Sequence, residues 1–184
     1  MAAAEAGCFL PGKPKTTGNL KVVAGKGKKV GEGRLLRYIV EVEKGLDVDP
    51  KCFAAMVEDI LGNDRSWGHK YSLQRVSQGP VAFRITLADP ATVDRLCRPL
   101  DTGGIYSCWN GARAMLNSQR WRKGSTVYKD TDRYRIYMVN HEVGHAIGFD
   151  HRSCPGRGKL APVMMQQSKG LRGCRANPWP FPGT

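Results

Sequence analysis

Three of the four histidines lie within one short string, His141-Glu142-Val143-Gly144-His145-Ala146-Ile147-Gly148-Phe149-Asp150-His151. It has the form H-E-x-x-H-x-x-G-x-x-H. On a helix, His141 and His145 stand four residues apart on one face, so their imidazoles can share one ion. Glu142 sits beside that face, where a carboxylate can act as a base without ligating. Gly148 suits a helix that must stop and turn sharply, because glycine accepts a left-handed backbone without strain. The turned chain can return His151 as a third ligand. Three neutral ligands leave a fourth position for water, the arrangement of a catalytic zinc site rather than a closed structural one. Zinc lowers the pKa of such a water to about 7 and polarises a carbonyl, while the glutamate accepts the proton. A bare H-E-x-x-H occurs by chance in many proteins; the five fixed positions together are a far more specific signal.

The helix that must carry the motif reads over residues 130–149. Asp130 or Thr131 can cap its start, and Asp132 adds negative charge to the first turn. Tyr134, Tyr137, Met138, Val139, Ala146 and Ile147 supply apolar faces, and no proline interrupts the run.

The string from His141 to His151 resembles the metzincin clan of zinc metallopeptidases. The resemblance implies a methionine-bearing turn beneath the histidines. Within Leu160-Ala161-Pro162-Val163-Met164-Met165-Gln166-Gln167, Met164 is the expected residue and Met165 the reserve. Some members place a tyrosine two residues after that methionine; this chain has Gln166, so a tyrosine-assisted mechanism is not expected. Gln166 or Gln167 is either a donor to an oxyanion or a solvent-facing or backbone-bonded amide. The chain is more closely similar to a set of uncharacterised actinobacterial proteins read as secreted or membrane-anchored. That likeness covers roughly residues 33–182. It rests on Leu100-Asp101-Thr102-Gly103-Gly104, Cys108, Asn110-Gly111, Val139-Asn140-His141, Cys154-Pro155-Gly156, Ala161-Pro162-Val163-Met164, Gly173-Cys174 and Asn177-Pro178-Trp179-Pro180. It implies an α+β, zincin-like single domain: a twisted, mostly parallel sheet with an antiparallel edge strand, two long helices and a short irregular C-terminal part. By the same analogy an extended peptide lies along a sheet edge within residues 106–117, near Trp109, Asn110 and Gly111.

The elements along the chain fit that order. Residues 35–42 read as a strand. Asp49-Pro50 opens a helix with an apolar stripe of Phe53, Met56, Val57, Ile60 and Leu61. Residues 71–76 and 81–87 read as strands, 90–96 as a short helix, and 105–109 and 112–117 as further strand bent at Asn110-Gly111. Residues 1–32 are rich in Gly, Lys and Ala and read as a flexible basic lead-in, with the catalytic domain spanning 33–184. His69, the histidine outside the motif, is given no metal role.

Six cysteines, without C-x-x-C spacing, suit an exported disulfide protein better than a cysteine zinc site. Of fifteen possible pairings, proximity favours Cys97–Cys108 and Cys154–Cys174, leaving Cys8–Cys52. Cys8 has two further readings, a thiolate cap on the zinc and, after Ala6-Gly7, a lipid-attachment site. No stretch is long and apolar enough to span a membrane, and the first residues lack the pattern of an export signal. An export signal or anchor upstream of the mature domain is therefore expected.

The net charge is +13. Residues 152–184 hold six Lys or Arg and no Asp or Glu, and residues 11–37 hold eight basic residues against Glu32. This is either a solvated basic surface or an attraction to acidic substrates, wall polymers or lipid headgroups. No nucleic-acid motif or phosphate loop is present. The expectation is a monomeric, exported or surface-exposed zinc metalloendopeptidase acting on peptides or proteins. Two rivals are a zinc amide hydrolase acting on cell-wall peptides and a catalytically silent zinc-containing binding module.

Overall fold

A computed structural model describes residues 7–183. The architecture is α+β, built on a mixed, partly parallel sheet. In chain order the strands are β1 (Leu20–Val22), β2 (Leu35–Glu43), β3 (Ser72–Arg75), β4 (Phe83–Ala88), β5 (Cys108–Trp109) and β6 (Arg113–Asn117). Four helices accompany them: α1 (Pro50–Gly62), α2 (Pro90–Cys97), α3 (Ser118–Lys123) and α4 (Thr131–Ala146). The sheet runs β1-β2-β4-β6-β5, with β3 pairing to β2 beyond the stretch that β1 covers. Strands β3, β2, β4 and β6 are mutually parallel, whereas β1 and β5 are antiparallel edges.

The helix starts follow from local chemistry. Asp49 accepts the Cys52 N–H at 2.9 Å and Pro50 opens α1, which needs no donor there. Asp89-Pro90 repeats the device for α2. Helix α1 buries Phe53, Ala54, Val57, Ile60 and Leu61, while Phe53 meets Trp121 of α3 edge-to-face at 5.1 Å. Strand β2 is buried over most of its length, as expected of a strand with a neighbour on either side and helices packed above. Its buried Glu41 is neutralised in place. Glu41 accepts from Arg84 at 2.7 Å, Arg113 at 2.9 Å and Thr86 at 2.9 Å.

The lead-in differs from its reading as a flexible segment over 1–32. Residues 1–6 lie outside the described residues, but beyond them Leu20–Val22 forms β1 against β2. The buried carboxylate of Glu43 accepts the Gly18 N–H at 2.7 Å and the Asp89 N–H at 2.8 Å, tying the segment to the sheet. Trp121 Nε1–H donates to the Gly7 carbonyl at 3.1 Å. A three-residue edge strand, Leu20-Lys21-Val22, is too short to leave a periodic signal, which is why it escapes sequence reading.

Three disulfides join Cys8–Cys52, Cys97–Cys108 and Cys154–Cys174, and no described cysteine is free. A bonded Cys8 has no thiolate to offer a metal. No helix is long and apolar enough to cross a membrane among the described residues. Cys8–Cys52 closes the longest of the three loops, with a sequence separation of 44. Loop closure of that length contributes about 4 kcal/mol through the unfolded chain. Cys8→Ser/Cys52→Ser is therefore expected to lower the melting temperature by about 10 °C. A calorimetric shift of about 2 °C or less would show that the N-terminal segment is not held as described.

Candidate metal centre

Helix α4 positions the motif. Asp130 caps it by accepting the Asp132 and Arg133 N–H groups at 2.8 and 3.3 Å. Unlike a surface helix, it is buried nearly all round from Tyr134 to Gly144. Its regular hydrogen bonding ends at Ala146, three residues short of the expected end. Gly148, at φ 97°, turns the chain back, and Phe149 N–H closes onto the Gly144 carbonyl at 2.9 Å. The turn returns His151.

The three imidazoles converge. One ring nitrogen from each of His141, His145 and His151 lies within 4.8 Å of the others. His141 Nδ1–H donates to the Val163 carbonyl and His145 Nδ1–H to the Phe149 carbonyl, both at 2.8 Å. Those bonds fix the tautomers, so Nε2 carries the lone pair that a metal requires. The Nε2 atoms of His145 and His151 are 3.1 Å apart, close to the ~3.3 Å edge of a tetrahedron with 2.0–2.1 Å bonds. Exposure rises from buried His141 through half-buried His145 to exposed His151, so the group opens on one side.

Burial sets the protonation states. It pushes His141 down to about 3, against the opposing pull of the Val163 carbonyl. Burial also lowers His145, and it lowers His151 with help from His145 and Lys169. Neutral rings are the ligating form. Glu142 is driven up to about 8 by burial alone, and its Oε2 is buried without a hydrogen-bond partner. Buried carboxylate oxygens are normally satisfied, so this one points to a group that the protein chain does not supply. Together with three oriented neutral imidazoles, it fits a divalent cation and an associated water.

A cleft of about 320 Å³ opens onto His141, Glu142, His145 and His151. Leu100 to Thr102 and Tyr106 to Trp109 line one part of its wall, Tyr134, Tyr137 and Met138 of α4 another, and Gln166, Ser168 and Lys169 a third. Of the expected edge residues, Trp109 lines the cleft, next to Cys108 on the two-residue strand β5. Asn110 and Gly111 do not line it. They form the β5–β6 turn, where Asn110 Oδ1 accepts the Ala112 and Arg113 N–H groups.

Met164 is buried, and its side chain occupies the space beside Gly144, one residue before His145. Gln167 is fully buried and backbone-bonded: its amide donates to the Pro162 and Asn177 carbonyls at 3.1 and 2.7 Å and accepts from Tyr128 at 2.8 Å. It is therefore a brace, not an oxyanion donor, while Gln166 is exposed at the cleft. His69 lies against Phe181 at 4.7 Å and belongs to no metal-capable group among the described residues. Tyr106 opens the stretch expected to hold the substrate edge, whereas Tyr134, Ser168 and Lys169 went unremarked as cleft residues in the sequence, because tertiary packing alone brings them to the histidines.

The chain matches the family model described as "Protein of unknown function (DUF3152)" over residues 10–173 and belongs to that family. No curated protein and no solved structure matches it.

A Cβ at residue 144 would collide with Met164 Sδ and stand 2.9 Å from Trp67 Cζ2. Overpacking a buried site costs about 1–3 kcal/mol, against a helix-propensity gain of about 1 kcal/mol for alanine over glycine. Both neighbours are buried, so the overlap should win. Gly144→Ala is expected to melt several degrees lower and to bind zinc more weakly; a raised melting temperature would contradict this packing.

Proposed function

We propose that the chain is a zinc-dependent metalloendopeptidase of metzincin type that works outside the cytoplasm. The observation that carries the reading is the convergence of three neutral imidazoles beside a buried, unpartnered carboxylate oxygen, all facing one cleft. His141, His145 and His151 would hold the ion. Bound zinc would supply Lewis-acid polarisation of the scissile carbonyl and acidify water.

The remaining work falls to the chain. Burial alone favours the protonated form of Glu142, and a cation held by the adjacent histidines would favour the carboxylate. In that ionised form Glu142, at 5% exposure, would take a proton from the attacking water and return it to the leaving amine. The Val163 and Phe149 carbonyls hold two rings in their ligating tautomer. Met164, packed under the helix at Gly144, is the methionine of the turn beneath the histidines. Strand β5 forms a sheet edge beside the cleft, and an extended peptide can pair with it while Trp109 receives a side chain. The disulfides favour an oxidising compartment, which supports an exported or surface location.

The test pairs the wild type with Glu142→Gln on a diverse library of unfolded peptides, with metal content measured in both. Each protein should hold about one zinc, and the variant should lose about 10²–10⁴-fold in cleavage rate. His145→Ala should lose both zinc and cleavage. Equal cleavage by wild type and Glu142→Gln, or a zinc-loaded wild type that cleaves nothing in the library, would overturn the reading.

A further inference from the structure

Lys169 apart, the cleft does not use the cations of the segment that follows it. After Asp150 the sequence contains no Asp or Glu, but it carries Arg152, Arg157, Lys159, Lys169, Arg172 and Arg175. Four of these are gathered on one small scaffold. The strip 156–161 lies alongside 173–175: Gly158 N–H donates to the Gly173 carbonyl at 2.8 Å, Arg175 N–H to the Lys159 carbonyl at 2.8 Å, and Ala161 N–H to the Arg175 carbonyl at 2.9 Å. Cys154–Cys174 cross-links the two strips. Arg157 packs over Gly173, within 3.7 Å of where a Cβ would stand, which brings it beside Arg172. Arg175 Nε–H donates to the Gly158 carbonyl at 2.9 Å, holding its guanidinium along the ladder.

Arg157, Lys159, Arg172 and Arg175 are all exposed. The salt bridges among the described residues lie elsewhere, on Glu58, Glu41, Asp47 and Asp132. Four like charges on and beside the disulfide-closed loop repel one another, and none of them is in a salt bridge among the described residues. A fold that keeps this arrangement gains nothing in stability from it, whereas a rigid cluster loses little entropy when an anion docks. Three of the four are arginines, whose planar forks pair two-pronged with phosphate or carboxylate oxygens.

We propose that the Cys154–Cys174 loop is a docking surface for a linear polyanion, a chain of repeated phosphate or carboxylate groups. A lipid surface fits less well. Leu160 is the one exposed large hydrophobic residue of this region among the described residues, so the loop offers no apolar wedge for insertion. Because His151 directly precedes the loop and Arg152 N–H donates to the Met164 carbonyl at 3.0 Å, a docked polymer would hold the cleft close to its own attachments. The docking surface does not depend on the hydrolytic reading.

The test uses the full chain carrying Glu142→Gln, so that turnover plays no part. Binding to long-chain polyphosphate and to poly-L-glutamate is measured across roughly 50 to 200 mM salt. Two charge-matched variants are compared: Arg157→Gln/Lys159→Gln/Arg172→Gln/Arg175→Gln, and Lys13→Gln/Lys15→Gln/Lys21→Gln/Lys26→Gln. The loop variant should lose at least about tenfold in affinity at low salt, and its log–log salt slope should shrink by about 3, the counterions of four contacts. The N-terminal variant should stay within about twofold. If the loop variant melts early, Arg157→Gln/Lys159→Gln replaces it, with a slope change of about 1.5. Which polymer binds tighter tells phosphate from carboxylate. Equal losses in both variants would mean diffuse charge, and no binding by the unsubstituted loop would mean no site. Preferential binding to vesicles of phosphatidylglycerol and phosphatidylcholine would assign the loop to lipid. Any of these three results overturns the proposal.

Discussion

Helix α4 is buried on nearly every side, and a buried helix with polar side chains must have those groups answered by something outside it. Much of the remaining structure follows from that demand. Arg135 donates to the Trp121 carbonyl at 2.8 Å and pairs with Asp132 at 2.5 Å. Tyr137 donates to the Met165 carbonyl at 2.8 Å, and His141 to that of Val163. Asn140, fully buried, accepts from Ser66 at 2.6 Å and donates to the Pro178 carbonyl at 3.1 Å. Besides the Trp121 carbonyl of α3, the partners come from three irregular stretches, around residues 66, 163–165 and 178. Their lack of regular structure follows from the job, since backbone that spends its carbonyls on side chains cannot also form a ladder. Glu142 Oε2 is the group on this helix left unanswered, and its side chain belongs to a residue that lines the cleft.

The same logic explains what could be read from the sequence. The histidine triad was legible because ligand spacing on a helix is a one-dimensional pattern, and Gly148 announced the turn. Asp49-Pro50 and Asp89-Pro90 marked two helix starts, because capping is local chemistry. The cysteine pairs followed from proximity along the chain, and the structure has the same three. Helix α3 escaped notice: Ser118–Lys123 is six residues, largely basic, and its cap Asn117 also ends β6. The cleft walls are assembled from the separate segments 100–109, 134–151 and 166–169, and no periodicity links Tyr106 to Ser168. Gln167 shows the limit most clearly. Its side chain joins Tyr128, Pro162 and Asn177, yet in sequence it is indistinguishable from Gln166, which is exposed.

The C-terminal third therefore has two faces with different chemistry. Inward, Val163, Met164 and Gln167 brace the histidines. Outward, the Cys154–Cys174 loop presents cations that no described carboxylate offsets. One disulfide serves both, because the segment it closes contains Met164 as well as most of the basic ladder. The N-terminal segment is tied down by analogous means: Cys8–Cys52 binds it covalently to α1, and the Glu43 carboxylate and β1 bind it to the sheet.

The proposed reading stands on His141, His145 and His151 forming a three-imidazole zinc site with one position open. X-ray absorption at the zinc edge of the zinc-loaded protein measures this. Three nitrogen ligands at about 2.0–2.1 Å, one further light scatterer and no sulfur are expected. Cysteine sulfur at about 2.3 Å, or a protein that takes up no zinc, would contradict it.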